Sequence, residues 1–232
     1  MPHAAVATPP FRLAGWCYLT VIACGAFTEI VVRQSVIVAD DVMGTASALA
    51  EHDTLWRWGI AVHVLYLVVA ALVNLLLFDI FKAGTGALPR FMLILGLLSV
   101  AIEASMLTLL ATPLVLADEG AAFEIVSAHD KAAWSYLAVQ LYGAGWALGL
   151  IFFGTFCALL GVLILRTRRV PRALGVLMLM AGACYVASSL LAFLSPDVLA
   201  RLIPWILLPS LIGELSLAVN LAIRAPRPAH SA

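Results

Sequence analysis

Five acidic or histidine side chains fall inside long apolar runs, and chemistry would be done there: Glu29, His63, Asp79, Glu103 and Glu214. An ionised side chain at the centre of a bilayer costs about 2.5–3.5 kcal/mol on insertion scales, so each needs a partner or a task. Asp79 has Lys82 three positions on, near the end of its run, and Glu29 has Arg33 one helical turn on. Both spacings suit a local ion pair. Glu103 and Glu214 lie about midway along their runs with no basic residue within a turn, and each follows a serine four positions earlier, Ser99 and Ser210. On a helix that spacing sets hydroxyl and carboxyl on one face, where a neutral glutamic acid could share a hydrogen bond with the serine. The neutral form is expected for both acids at pH 7, because an unpaired buried charge is costly.

His63 shares a helical face with Tyr66, Ala70 and Asn74, which gives that segment a polar stripe. Tyr136, Gln140, Tyr142, Trp146, Tyr185, Ser188 and Ser189 fall toward the same half of the layer. An interfacial belt accounts for the tyrosines and tryptophans most simply. The functional alternative is a polar, aromatic-lined cavity with Glu29, His63 and Glu103 at its base and Tyr66, Asn74, Tyr136, Gln140, Trp146 and Tyr185 along its wall. The histidines (His3, His52, His63, His129, His230) have no paired metal-binding spacing, nor do Cys17, Cys24, Cys157 and Cys184. No metal site is expected, and no cofactor is indicated. No hydrolase, metalloprotease, kinase or nucleotide-binding motif is found.

The elements that must position these residues follow from composition. Hydrophobic residues make up 64% of the 232 and charged ones 11%, against roughly half and a quarter in soluble domains. Such a chain could not cover its own surface with polar groups. The 13 basic and 13 acidic residues cancel, so nothing indicates a nucleic-acid partner. Six apolar runs, 13–32, 58–81, 91–117, 143–165, 173–194 and 199–223, are long enough to cross a hydrocarbon core of roughly 30 Å. None alternates as a barrel strand would, so the expected fold is all-α: a polytopic six-helix transmembrane bundle with short cytoplasmic loops and two longer external ones.

Both tails, 1–12 and 224–232, fall on one side of such a bundle. That side collects Arg12, Lys82, Arg90, Arg166, Arg168, Arg169, Arg172, Arg224 and Arg227, nine basic residues against four (Arg33, Arg57, Lys131, Arg201) on the other. Because cytoplasmic loops retain Lys and Arg, the ends are expected to be cytoplasmic. In the external loops, 34–57 and 118–142, Asp40-Asp41 can cap a short helix through Ala50, and Asp118-Glu119 another. The second would run through Phe123, Val126, Trp134, Leu137 and Leu141 along the membrane surface, or else extend the fourth span.

Val21-Ile22-Ala23-Cys24 imitates a lipoprotein cleavage site, but the apolar run continues past Cys24 to Arg33, so Cys24 is read as a helix residue. Gly145, Gly149 and Gly154 are read as close-packing positions. Pro204 and Pro209 are expected to break the sixth helix beside Glu214. The Ser99/Glu103 and Ser210/Glu214 match suggests an inverted repeat of three spans, whereas the Arg12, Gly15, Ala23, Cys24 spacing recurs in Arg172, Gly175, Ala183, Cys184 and suggests a different one. Neither repeat is assigned.

Five motifs together carry a family resemblance: Arg12-Leu-Ala-Gly15; Glu29-Ile-Val-Val-Arg33 with Ile37-Val38 and Asp41 after it; Gly149-Leu-Ile-Phe-Phe-Gly154; Pro171-Arg-Ala-Leu-Gly175; and Gly213-Glu-Leu-Ser216. Over nearly the whole chain the sequence resembles the bacterial membrane family catalogued as domain of unknown function forty-three eighty-six. The resemblance implies a compact multi-spanning protein of a bacterial cytoplasmic (inner) membrane, and it brings no catalytic residues with it. Three function classes stand. The first is a carrier or permeation protein for a small amphiphile or ion, using Glu103 and Glu214. The second is an intramembrane enzyme on a lipid or isoprenoid, which would need a second group paired with an acid. The third is a non-catalytic assembly or sensor protein. The partners expected are the lipid bilayer and a small amphiphilic or ionic ligand; the sequence does not specify an oligomeric state.

Overall fold

A computed structural model describes residues 10–82, 86–117 and 125–223. Every regular element among them is a helix, and six are long and apolar enough to cross a membrane: Phe11–Val36, Asp53–Phe81, Leu88–Ala117, Ala128–Thr167, Arg172–Leu194 and Trp205–Ile223. They are called the first to sixth spans below. Each span packs on the next and the sixth packs back on the first, so the six form a closed ring. The ring is filled at both ends. Toward the Arg166–Arg172 loop, side chains including Leu77, Phe81, Met92, Leu160, Met178 and Leu221 form one apolar plug. At the opposite end Val32, Trp56, Leu107, Leu110, Val139 and Tyr142 form a second.

Close approach of backbones holds the ring together. A Cβ at Gly182 would stand 2.5 Å from the carbonyl oxygen of Gly154, so the fourth and fifth spans touch main chain to main chain. Gly145 and Gly149 instead face the third span, at Met106 and Ser99. Cys24 lies within the helical first span. The pair expected at the end of the second span is present, with Lys82 Nζ 2.7 Å from Asp79 Oδ1 and both side chains about half exposed.

The fourth span is one helix of 40 residues, about 60 Å at 1.5 Å per residue. Trp134, Leu137 and Leu141 therefore belong to an extension of that span and not to a separate surface helix. Ser127 Oγ caps it by accepting the Asp130 N–H at 3.1 Å. Val126 precedes the helix; Asp118, Glu119 and Phe123, placed on it from sequence, lie outside the described residues. The short helix expected after Asp40-Asp41 runs over Val42–Glu51, and Asp41 Oδ1 accepts the Gly44 N–H at 2.8 Å.

Three spans lose regular geometry, all at the end away from the Arg166–Arg172 loop. The first is π-helical over Phe27–Arg33, with the Gln34 N–H reaching back five residues to Glu29 O. The third tightens to a 3-10 turn at Thr108–Ala111, just before Pro113, whose missing N–H frees a carbonyl upstream; Trp56 Nε1 donates to Leu110 O there at 2.8 Å. The sixth is corrected from 199–223: a separate helix covers Pro196–Leu202, the chain breaks at Ile203-Pro204, and Trp205–Leu207 is a 3-10 turn leading into Leu208–Ile223. Only Pro204 breaks the helix. Pro209 is the second residue of Leu208–Ile223, where a proline's missing N–H would have had no partner in any case.

Candidate functional site

Between the two plugs lies a cavity of about 340 Å³ to which all six spans contribute, within the size range of small-molecule sites. Glu214 projects into it from the sixth span, only 7% exposed. Tyr18 of the first span donates to Glu214 Oε2 at 3.0 Å, and Tyr185 of the fifth donates to Oε1. One phenol on each oxygen pins the carboxyl plane, and an ionised carboxylate, which only accepts, is satisfied by this arrangement. Tyr185 continues into an aromatic wall, with its ring centroid 5.3 Å from that of Phe153, and Phe153 5.7 Å from Phe156.

Glu103 reaches the same cavity from the third span, also 7% exposed. Behind it stands His63, whose Nε2 lies 2.9 Å from Glu103 Oε1. The imidazole is held between Tyr66, with ring centroids 5.1 Å apart, and the edge of Tyr142 at 6.0 Å. Glu29, half exposed, sits at the cavity margin 3.4 Å from Arg33, and the Arg33 guanidinium lies 4.7 Å over the Tyr142 ring. The cavity margin is exposed at Ala26, Glu29 and Ile30 of the first span and Leu211 of the sixth. The opening lies between the first and sixth spans.

The sequence-predicted residues divide as follows. Glu29, Glu103, Glu214, Ser99, Tyr66, Asn74, Trp146 and Tyr185 line the cavity. Arg33 and His63 do not; they border a separate small void with Trp56 and Thr28, and act on the cavity only through Glu29 and Glu103. Ser210 is buried away from it. The expected serine–glutamate bonds are replaced: Ser99 Oγ donates to Gly149 O at 3.0 Å and Ser210 Oγ to Ala181 O at 3.1 Å. A serine hydroxyl in a helix reaches a neighbouring helix's carbonyl at a close crossing, and both serines are used for that purpose. Tyr136 and Gln140 are also corrected as lining residues. Gln140 is exposed on the fourth span's extension, and the Tyr136 hydroxyl accepts from the Asp40 N–H at 3.3 Å, outside the ring. Tyr18 was missed. Its partner lies 196 residues away, and nothing local distinguishes it from other span tyrosines.

Among the described residues, no three His, Cys, Asp or Glu side chains come together as a metal-binding group. The closed ring of six apolar helices defines a multi-pass membrane protein. Residues 13–225 match the family model described as Domain of unknown function (DUF4386), and the chain belongs to that family. No curated protein and no solved structure matches it.

Proposed function

We propose that this protein is a carrier or permeation protein that admits a small amphiphile from the membrane, with its polar end at Glu214 and Glu103. The observation that supports this is a cavity with two buried carboxyls at its wall and an exposed apolar margin at Ile30 and Leu211. Such a shape suits a molecule with an apolar body and one polar end, because the body can enter without leaving an apolar medium. The reading includes an orientation, with both ends cytoplasmic in a bacterial inner membrane, supported by the nine-to-four division of basic residues. The test is mass spectrometry of small molecules extracted from purified protein. A defined amphiphile should co-purify with the wild type and be lost from Leu211→Trp, which fills the margin. If both preparations carry only the bulk lipids of the membrane, the reading is wrong.

One observation favours a second reading, an intramembrane enzyme on a lipid or isoprenoid. Glu103 and His63 are paired at 2.9 Å, the two-group geometry that acid–base catalysis requires. A carrier would return the extracted amphiphile unchanged after incubation with protein, whereas an enzyme would convert it, and His63→Gln would stop the conversion.

A further inference from the structure

The three carboxyls at the cavity wall are not equivalent. Glu29 has Arg33 at 3.4 Å, and Glu103 has His63 at 2.9 Å. Glu214 is bonded to two phenols, and no basic side chain is among its partners. It is therefore the wall carboxyl that has no basic side chain of the protein to pair with on ionising. Among the described residues no Lys or Arg lines the cavity, while Tyr18, Tyr185, Phe153 and Phe156 surround the side on which Glu214 lies. Aromatic faces attract cations through the ring quadrupole, most strongly when desolvated, and this is how quaternary ammonium groups are commonly recognised. An anionic head would meet three acids on the wall, with the nearest fixed cation, Arg33, already paired with Glu29. A neutral one would offer Glu214 no counter-charge on ionising, which a cationic head supplies.

We infer that the cavity's ligand is a lipophilic organic cation, with its ammonium-type head against Glu214 and the Tyr185–Phe153 wall and its apolar body toward Leu207 and Leu211. This rests on the reading of the cavity as an amphiphile site and specifies the charge of its occupant. The cation supplies the partner that Glu214 lacks. Tyr18 and Tyr185 hold the carboxyl and present their rings, so each serves both as hydrogen-bond donor and as part of the cation's surround. Arg33 is already paired with Glu29 and His63 is bonded to Glu103, which leaves Glu214 as the wall carboxyl with no basic side chain of the protein beside it.

The experiment uses the full-length protein in lipid nanodiscs, with protein-free nanodiscs subtracted. Tetraphenylphosphonium is the probe and tetraphenylborate, of nearly the same shape and opposite charge, the comparison. Saturable binding of the phosphonium is expected, with the borate at least 10-fold weaker as a competitor and Glu214→Gln weakening the phosphonium by a similar factor. The comparison of charge signs is made on wild-type protein and does not depend on the variant folding. Equal or tighter binding of the borate, or no saturable binding of the phosphonium, overturns the inference. If a defined amphiphile still co-purifies in that case, the amphiphile site survives with a different head group. If none does, the proposed function fails as well.

Discussion

The first and sixth spans meet at Gly15, and replacing that residue with alanine gives the sharpest test of the ring. A Cβ there would stand 2.1 Å from Ala222 N, 2.5 Å from Ala222 Cα and 2.7 Å from the Leu221 carbonyl carbon. Ordinary carbon contacts are about 3.5–4.0 Å, so the helices would have to part by about 1.5 Å. All three obstructing atoms are backbone and cannot turn aside. Overpacking costs typically 1–3 kcal/mol, and this contact belongs at the top of that range, about 3 kcal/mol. Alanine's better helix propensity returns about 1 kcal/mol, leaving a net loss of about 2 kcal/mol, or roughly 30-fold in the folded-to-unfolded ratio. Gly143→Ala is the matched control: nothing lies within 4 Å of its Cβ position, so only the propensity gain of about 1 kcal/mol should appear. Reversible unfolding of both variants in mixed micelles reads the difference. Equal shifts of the two variants in the same direction would refute the close first-to-sixth crossing. Because Gly15 lies one helical turn before Tyr18, the same wedge should loosen the Tyr18–Glu214 bond and weaken ligand binding.

Three other outcomes are expected. Glu214→Gln should abolish transport or ligand-dependent growth while leaving insertion and unfolding nearly unchanged, since polar helix-to-helix contacts average about 0.6 kcal/mol in membranes; Asp79→Asn, at a half-exposed pair, should be mild in both assays, and full activity of Glu214→Gln would instead favour the assembly class. Trp56→Phe removes the donor to Leu110 O at the 3-10 turn and should cost about 1 kcal/mol in the same unfolding measurement. In a background lacking Cys17, Cys24, Cys157 and Cys184, Thr167→Cys should resist a membrane-impermeant thiol reagent in intact cells and Ser47→Cys should react; the opposite pattern would reverse the proposed orientation.

What could be read from sequence follows from which coordinate of a residue a span reveals. An apolar run of fixed length sets where a helix lies in the layer, and so sets depth. Glu29 and His63 could be placed together in the same half, and Glu103 and Glu214 near the middle, because each counts residues from the ends of its run. Direction around the helix is relative to neighbours, and those neighbours are decided by packing of the whole ring. Tyr136 and Gln140 lie toward the same end as Tyr142, but the fourth span's extension carries them beyond the ring, so their predicted role fails. Tyr66, Asn74 and Trp146 lie on faces that turn toward the cavity.

The serines show the limit most clearly. Their spacing from Glu103 and Glu214 was real, but a shared helical face does not require a shared bond. A hydroxyl that can reach the main chain of a neighbouring helix satisfies a carbonyl there and secures the crossing at the same time, as Ser99 does at Gly149 and Ser210 at Ala181. That leaves each acid to find its partner on another helix: His63 for Glu103, and Tyr18 with Tyr185 for Glu214. The two carboxyls therefore enter the cavity with different partners, an imidazole for Glu103 and two phenols for Glu214. The acid held by phenols is left to meet charge brought from outside, and for that reason Glu214→Gln, more than Glu103→Gln, is the substitution that should discriminate between cationic and neutral ligands.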